Sequence, residues 1–155
     1  MKNQTIVERT SEREIVASRT INGPPRLVFE AWTKPELFTR WWVPKSFPVS
    51  LLSCEMDVRV GGKYRLVFDS GSQPMAFFGT YLEVTPGARL VWTNDEGGEE
   101  VAAITTVTFE ERDGTTLLTM HDRHPSKEAL DASGSSDGTP ESWDQLDELV
   151  VALSH

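Results

Sequence analysis

Asp122 and His124 stand two residues apart near the end of the run Thr115 to His124, and a carboxylate beside an imidazole is a pair that can move protons. In a strand, residues two apart share a face, so this pair follows Leu118 and Met120. If that face is inward, the leucine and methionine pack in a core, and the acid and imidazole approach any space left beside them. The opposite face would then carry Leu117, Thr119, His121 and Arg123. The plainer expectation for Asp122 and His124 is a strand end running out into water. His121 and His124 are three apart and fall on opposite faces, which makes them poor joint metal ligands, and neither a metal nor a cofactor is expected. Glu55 and Arg65 flank the Gly61-Gly62 turn. An ion pair between facing strands is the simpler expectation for them. Alternatively, the planar fork of Arg65 holds a ligand carboxylate.

Other chemistries lack their residues. Cys54 is the only cysteine, so no internal disulfide forms. No cationic neighbour adjoins it, and it reads as a packing residue in a reducing, cytoplasmic setting. Gly61-Gly62 lacks the surrounding pattern of a phosphate loop, and there is no Gly-x-Ser-x-Gly elbow. Fifteen Lys and Arg against 24 Asp and Glu give a net charge of −9, which argues against nucleic acid and anionic lipid. The longest apolar run, Leu149 to Leu153, is far short of the ~20 residues of a membrane span, so no membrane insertion is expected. The first fourteen residues have no apolar region of a secretion signal.

The elements that must position these residues can be read from pattern. Residues 1–13 are polar and expected to be flexible, and residues 14–155 form one domain. Glu14 to Ile21 reads as a strand. Pro24 or Pro25 starts a short helix whose apolar face is Leu27, Val28, Ala31 and Trp32. Thr33 suits the N-cap of a second short helix carrying Leu37, Phe38 and Trp41. Strands are expected over Val49 to Met56, Lys63 to Asp69, Met75 to Val84, Arg89 to Thr93, Val101 to Glu111 and Thr115 to His124. Loops are expected at 70–74, at the acidic stretch 94–100 and at the glycine- and serine-rich stretch 133–138, with Asp113-Gly114 closing a hairpin. Ser126 caps a short helical turn. Thr139 as N-cap, followed by Pro140 and Glu141, then starts a last helix with the apolar stripe Trp143, Leu146, Leu149, Val150 and Leu153.

The chain is rich in tryptophan: Trp32, Trp41, Trp42, Trp92 and Trp143. Such residues bury large areas, so most belong to a core or pocket wall. On a helix Trp41 and Trp42 would point about 100° apart, leaving one of them at a pocket mouth or a partner surface. Phe77 and Phe78 alternate, and the outward one would suggest a homodimer.

Several blocks resemble one known family: Val28 to Leu37 running into Trp41-Trp42, Asp57 to Arg65, Gly79 to Pro86, Arg89 to Thr93, Thr106 to Glu111, and Trp143 to Leu149. In this order they resemble bacterial proteins similar to the Hsp90 ATPase activator, within the START-like (SRPBCC) helix-grip superfamily. The resemblance implies an α+β helix-grip fold, a curved antiparallel sheet of about seven strands wrapped around a long C-terminal helix, with two short helices after the first strand. It implies a cavity between sheet and helix for a small, mostly apolar ligand. Trp42, Phe68, Phe77, Tyr81, Trp92, Met120, Trp143 and Leu146 are the expected lining, with Glu55, Arg65 or His124 as polar anchors. A one-residue slip in any strand would exchange this set. Some relatives resemble polyketide cyclases, which would make Glu55, Asp122 or His124 an acid or base. A protein-contact role on an Hsp90-type chaperone is less favoured, because 155 residues leave no room for the separate chaperone-binding domain of the eukaryotic activator.

Overall fold

A computed structural model of the chain describes residues 4–47, 49–69, 74–95, 103–133 and 138–154. Most of the expected loops at 70–74, 94–100 and 133–138 lies outside the described residues, as do the first two residues of the strand expected from Val101 and the C-terminal His155.

Among the described residues, eight strands form one antiparallel sheet. They are β1 (Ile6–Arg9), β2 (Glu14–Ile21), β3 (Ser50–Met56), β4 (Lys63–Asp69), β5 (Pro74–Thr85), β6 (Arg89–Asn94), β7 (Ala103–Arg112) and β8 (Thr115–Arg123). The spatial order is β1-β2-β8-β7-β6-β5-β4-β3, so β3 to β8 run as a meander and β2 closes back onto β8. The helices are α1 (Pro25–Thr33), α2 (Pro35–Phe38), α3 (Lys127–Ser133) and α4 (Thr139–Leu153). This is the expected helix-grip arrangement with one strand added. β1 pairs Ile6 with Ser18 and Arg9 with Ile15 inside the segment expected to be flexible. Four exposed residues are too short a run to show alternation, and Arg9 ties them down through Asp131 Oδ1 at 2.7 Å and the Glu12 carbonyl at 2.8 Å.

Local chemistry sets the element ends. At Asp113-Gly114 both residues have positive φ, 53° and 84°, and Arg112 pairs with Thr115, as a two-residue hairpin requires. Pro25 opens α1, whose buried residues are the four of its apolar face. The N-cap of α2 is Lys34, not Thr33, because the Thr33 hydroxyl donates instead to the Phe29 carbonyl at 2.8 Å. Ser126 does cap α3, its Oγ accepting the Ala129 N–H at 3.1 Å. At α4 the N-cap is Gly138 rather than Thr139. A Cβ there would sit 2.8 Å from Pro44 Cγ, so close packing against the segment between α2 and β3 selects the glycine.

The inner face of the sheet buries Ala17, Ile21, Leu66, Phe68, Leu90, Val107, Phe109 and Leu118 against Trp143, Leu146, Leu149 and Val150 of α4. Polar contacts hold the helix on both flanks. Arg19, on the inner face of β2, has a fully buried side chain that binds Asp144 and, at 3.3 Å, Asp147 Oδ2. Asp147 also accepts the Asn22 backbone N–H at 2.7 Å. On the other flank Gln145 donates to the carbonyls of Trp41 and Val43, both at 2.9 Å, and accepts the Lys45 N–H at 2.8 Å. Ser142 donates to the Trp42 carbonyl at 2.8 Å.

Removing one partner from a buried charge network costs about 3–5 kcal/mol, whereas replacing all of its members by apolar groups of similar volume is often close to neutral. Asp147→Ala and Arg19→Met are therefore each expected to lower the unfolding free energy in urea by about 3 kcal/mol, and the triple variant Arg19→Met, Asp144→Leu, Asp147→Leu by much less than the single losses together. A triple variant that loses as much as the single variants together would show that packing, not charge pairing, seats α4.

Candidate functional site

Strand register decides which side chains meet. Leu118, Met120 and Asp122 all point inward from β8, and Asp122 and His124 are each 9% exposed. The inward reading of this face is correct, and the expectation of a solvated strand end is not. His121 faces outward, where its Nε2 lies 2.8 Å from Glu14 Oε1. The Glu14 carboxyl is held below its ordinary value by the hydrogen bonds from His121 and Ser11. Among the described residues no group of three or more His, Cys, Asp or Glu could hold a metal.

Asp122 ends a row of inward polar side chains that crosses the sheet. The Tyr64 hydroxyl on β4 lies 2.8 Å from the Thr93 carbonyl and 3.1 Å from Asn94 Oδ1. Asn94 Nδ2 on β6 donates to Thr105 Oγ1 on β7 at 3.0 Å. The Thr105 hydroxyl in turn donates to Asp122 Oδ1 on β8. Pairing of Trp92 with Thr105, and of Thr105 with Asp122, places these residues on one face. Tyr64 reaches β6 across β5 because Gly79 lies between. A Cβ at 79 would stand 2.9 Å from the tyrosine ring and 1.8 Å from the Thr93 carbonyl oxygen. The first half of β5 pairs with β4 and the second half with β6, with a bulge between Tyr81 and Glu83.

Burial pushes the Asp122 carboxyl up from its ordinary 3.8, while the Thr105 hydrogen bond and the nearby His124 and His121 pull it part of the way back. The arrangement can hold a proton, or accept a donor, in an otherwise apolar surround.

Aromatic rings form the wall beside this row. Trp32 is 2% exposed, with ring centroids 4.8 Å from Trp41, 6.0 Å from Trp42 and 5.9 Å from Trp92. α2 stops at Phe38, so Trp41 and Trp42 follow in a turn and the helical angle between them does not apply. Trp41 is fully buried and donates Nε1 to the Ala31 carbonyl at 2.9 Å, while Trp42 stacks on Phe38 at 4.7 Å.

The expected lining residues divide into three groups. Phe68, Tyr81, Met120, Trp143 and Leu146 are buried in the core. Trp42, Phe77 and Trp92 are only partly buried and pack against that core, Phe77 lying 5.3 Å from Phe68. Glu55 and Arg65 face away from α4. They are register partners, and Arg65 also pairs with Phe78, whereas the inward pair beside them is Cys54 with Leu66. They line a groove of about 510 Å³ on the outer face together with Lys63, Phe78, Thr80 and Asp95. The assignment of Glu55 and Arg65 as anchors between sheet and helix is thus corrected, since strand parity turns them outward. Phe77 and Phe78 do alternate, Phe78 being exposed. Cys54 is half-buried, and burial raises its thiol to about 11, which fits a packing residue.

Sequence reasoning missed Tyr64, Asn94, Thr105 and Arg19. Asn94 shares parity with Leu90 and Trp92, and Thr105 with Val107 and Phe109. A polar residue at an inward position in successive strands is a signal that could have found them.

Because burial raises the Asp122 carboxyl in the folded state, the native protein keeps a proton that the unfolded chain has already lost. Stability from this group is complete below the ordinary carboxylate value and is lost as pH rises through the raised one. Asp122→Asn keeps an acceptor for Thr105 and removes the titration. The melting temperature of the variant minus that of the native protein is expected to increase from pH 4 to pH 8. A difference that stays constant with pH would contradict a burial-raised Asp122.

Among the described residues no helix is long and apolar enough to cross a membrane. No curated protein matches the chain. Solved structures do. Protein NE0264 from Nitrosomonas europaea is 27% identical, with a TM-score of 0.81 over 93% of this chain and 97% of that one. Protein CV1439 from Chromobacterium violaceum is 30% identical, with a TM-score of 0.76 over 90% and 98%. CalU16 from Micromonospora echinospora, 19% identical with a TM-score of 0.68 over 97% and 87%, shares the fold. The model of the family described as activator of Hsp90 ATPase homolog 1-like protein matches residues 22–151. Sheet, gripped helix and this match together establish that the chain belongs to that family.

Proposed function

We propose that the inner face of the sheet, closed over by α4, binds a small and mostly apolar ligand. The observation that carries this reading is the row Tyr64, Asn94, Thr105 and Asp122, linked by hydrogen bonds across an otherwise apolar face. A buried polar group left unsatisfied costs about 1–3 kcal/mol, and even a satisfied network gains little over apolar packing, so stability alone does not call for the row. A few convergent polar groups beside aromatic walls are what a ligand site needs for orientation. Trp42, Phe77 and Trp92, partly buried on the same side, supply the apolar contact.

A second reading, catalysis, is favoured by Asp122 and His124 standing together in buried positions. A carboxyl raised by burial is suited to general acid or base work. Stimulation of an Hsp90-type ATPase by surface contact would use neither the row nor the aromatic wall.

Native mass spectrometry of freshly purified protein, compared with its denatured mass, tests the binding reading. A reproducible added mass of small-molecule size, released on denaturation, is expected. Loss of that mass in Asp122→Asn would place it at the row. Incubating the released compound with fresh protein then separates the readings, because a binder returns it unchanged and an enzyme converts it. A clean mass from several preparations, with no shift on exposure to a small-molecule library, would overturn both.

A further inference from the structure

We infer, building on the reading of the inner face as a ligand site, that its ligand presents a hydrogen-bond donor, an amine or a hydroxyl, and that carboxylate-bearing molecules are excluded. Charge placement selects the headgroup. Among the described residues Arg19 is the only arginine or lysine that is buried, and it is held by two carboxylates, Asp144 and Asp147. The other inward charge is Asp122, with His124 beside it. An anion brought between sheet and helix would meet two aspartates against a single guanidinium, whose Nη atoms both bind those aspartates and whose Nε alone has no partner. Burying such an uncompensated charge is strongly unfavourable. The cations that could receive a carboxylate, Lys63 and Arg65, lie on the outer face in the groove with Phe78.

The hydrogen bonds of the row add direction. Asn94 donates to Thr105, and Thr105 donates to Asp122, so the row converges on Asp122 Oδ1. In the ionised carboxylate, Oδ2 is the acceptor left for one more donor. A ligand amine would supply both the donor and the countercharge for an ionised Asp122, and a hydroxyl would supply the donor alone. Specificity of this kind rests as much on rejecting the wrong headgroup as on holding the right one.

Three probes of one shape test this: 2-naphthylmethylamine, 2-naphthylmethanol and 2-naphthoate, titrated by calorimetry. The protein should carry Lys63→Ala and Arg65→Ala, so that the outer groove cannot receive the carboxylate. The amine and the alcohol are expected to bind at least about tenfold more tightly than naphthoate. Asp122→Asn should weaken the amine about tenfold and leave naphthoate no weaker. Thr105→Val, which removes the donor that orients the carboxylate, should shift the amine in the same direction by less. Naphthoate binding as tightly as the alcohol would overturn the inference while leaving the ligand site in place. So would an amine affinity unmoved in both variants. If none of the three binds, the ligand-site reading itself fails and the inference falls with it.

Discussion

A single guanidinium, that of Arg19, holds the last helix against the sheet. Its side chain is fully buried, projects from the second strand, and meets two carboxylates one helical turn apart on α4. Neither partner can be removed cheaply, because a buried charge without its counterion costs several kcal/mol. Asp147 also caps the backbone of Asn22 at the start of the turn into α1. The same three acidic and basic groups therefore fix the helix, the closing strand and the beginning of the helical insertion. The apolar stripe of α4 supplies most of the burial, but apolar contact is non-directional. The charged contact sets the position of the helix along and around its axis, and with it the distance from Trp143 and Leu146 to the polar row.

That row depends on an absence as much as on its members. Tyr64 and Asn94 belong to strands that are not neighbours, and any side chain at position 79 would collide with the Thr93 carbonyl. Glycine lets the tyrosine ring lie across β5. β5 pairs with β4 as far as Thr80 and with β6 from Tyr81 on, just before the bulge. The polar residues are brought into line by backbone features, and the aromatic wall of Trp32, Trp42 and Trp92 stands beside them.

Much of this was legible from residue order. The turn at Asp113-Gly114, the proline-led helices and the stripe on α4 are local signals, and each produced its element. The alternation through Leu118, Met120 and Asp122 was also legible, but a pattern of period two does not say which face is inside. Glu55 and Arg65 show the cost of that ambiguity, since shifting parity by one residue moves a side chain to the other face of the sheet. Arg19 was illegible for a different reason: its partners lie 125 and 128 residues away, and nothing local announces them. β1 was too short to alternate. Gly79 read as part of a strand, because the need for a missing Cβ exists only once three strands are side by side.

The strand order has a consequence for synthesis. Every pairing from β3 to β8 joins strands adjacent in the chain, so each can form as soon as its hairpin is complete. β2 is different, because it pairs Ile21 with Thr116 and Glu14 with Arg123. At roughly 5–20 residues per second on the ribosome, β2 waits on the order of five to twenty seconds for β8 to be made. Arg19 waits longer still, until Asp144 and Asp147 appear. During that interval a strand with Ile15, Val16 and Ile21 has only the four residues of β1 to cover one edge. The sheet and the charged contact are thus completed only once β8 and α4 exist, and until then β2 is the most vulnerable strand of the nascent protein.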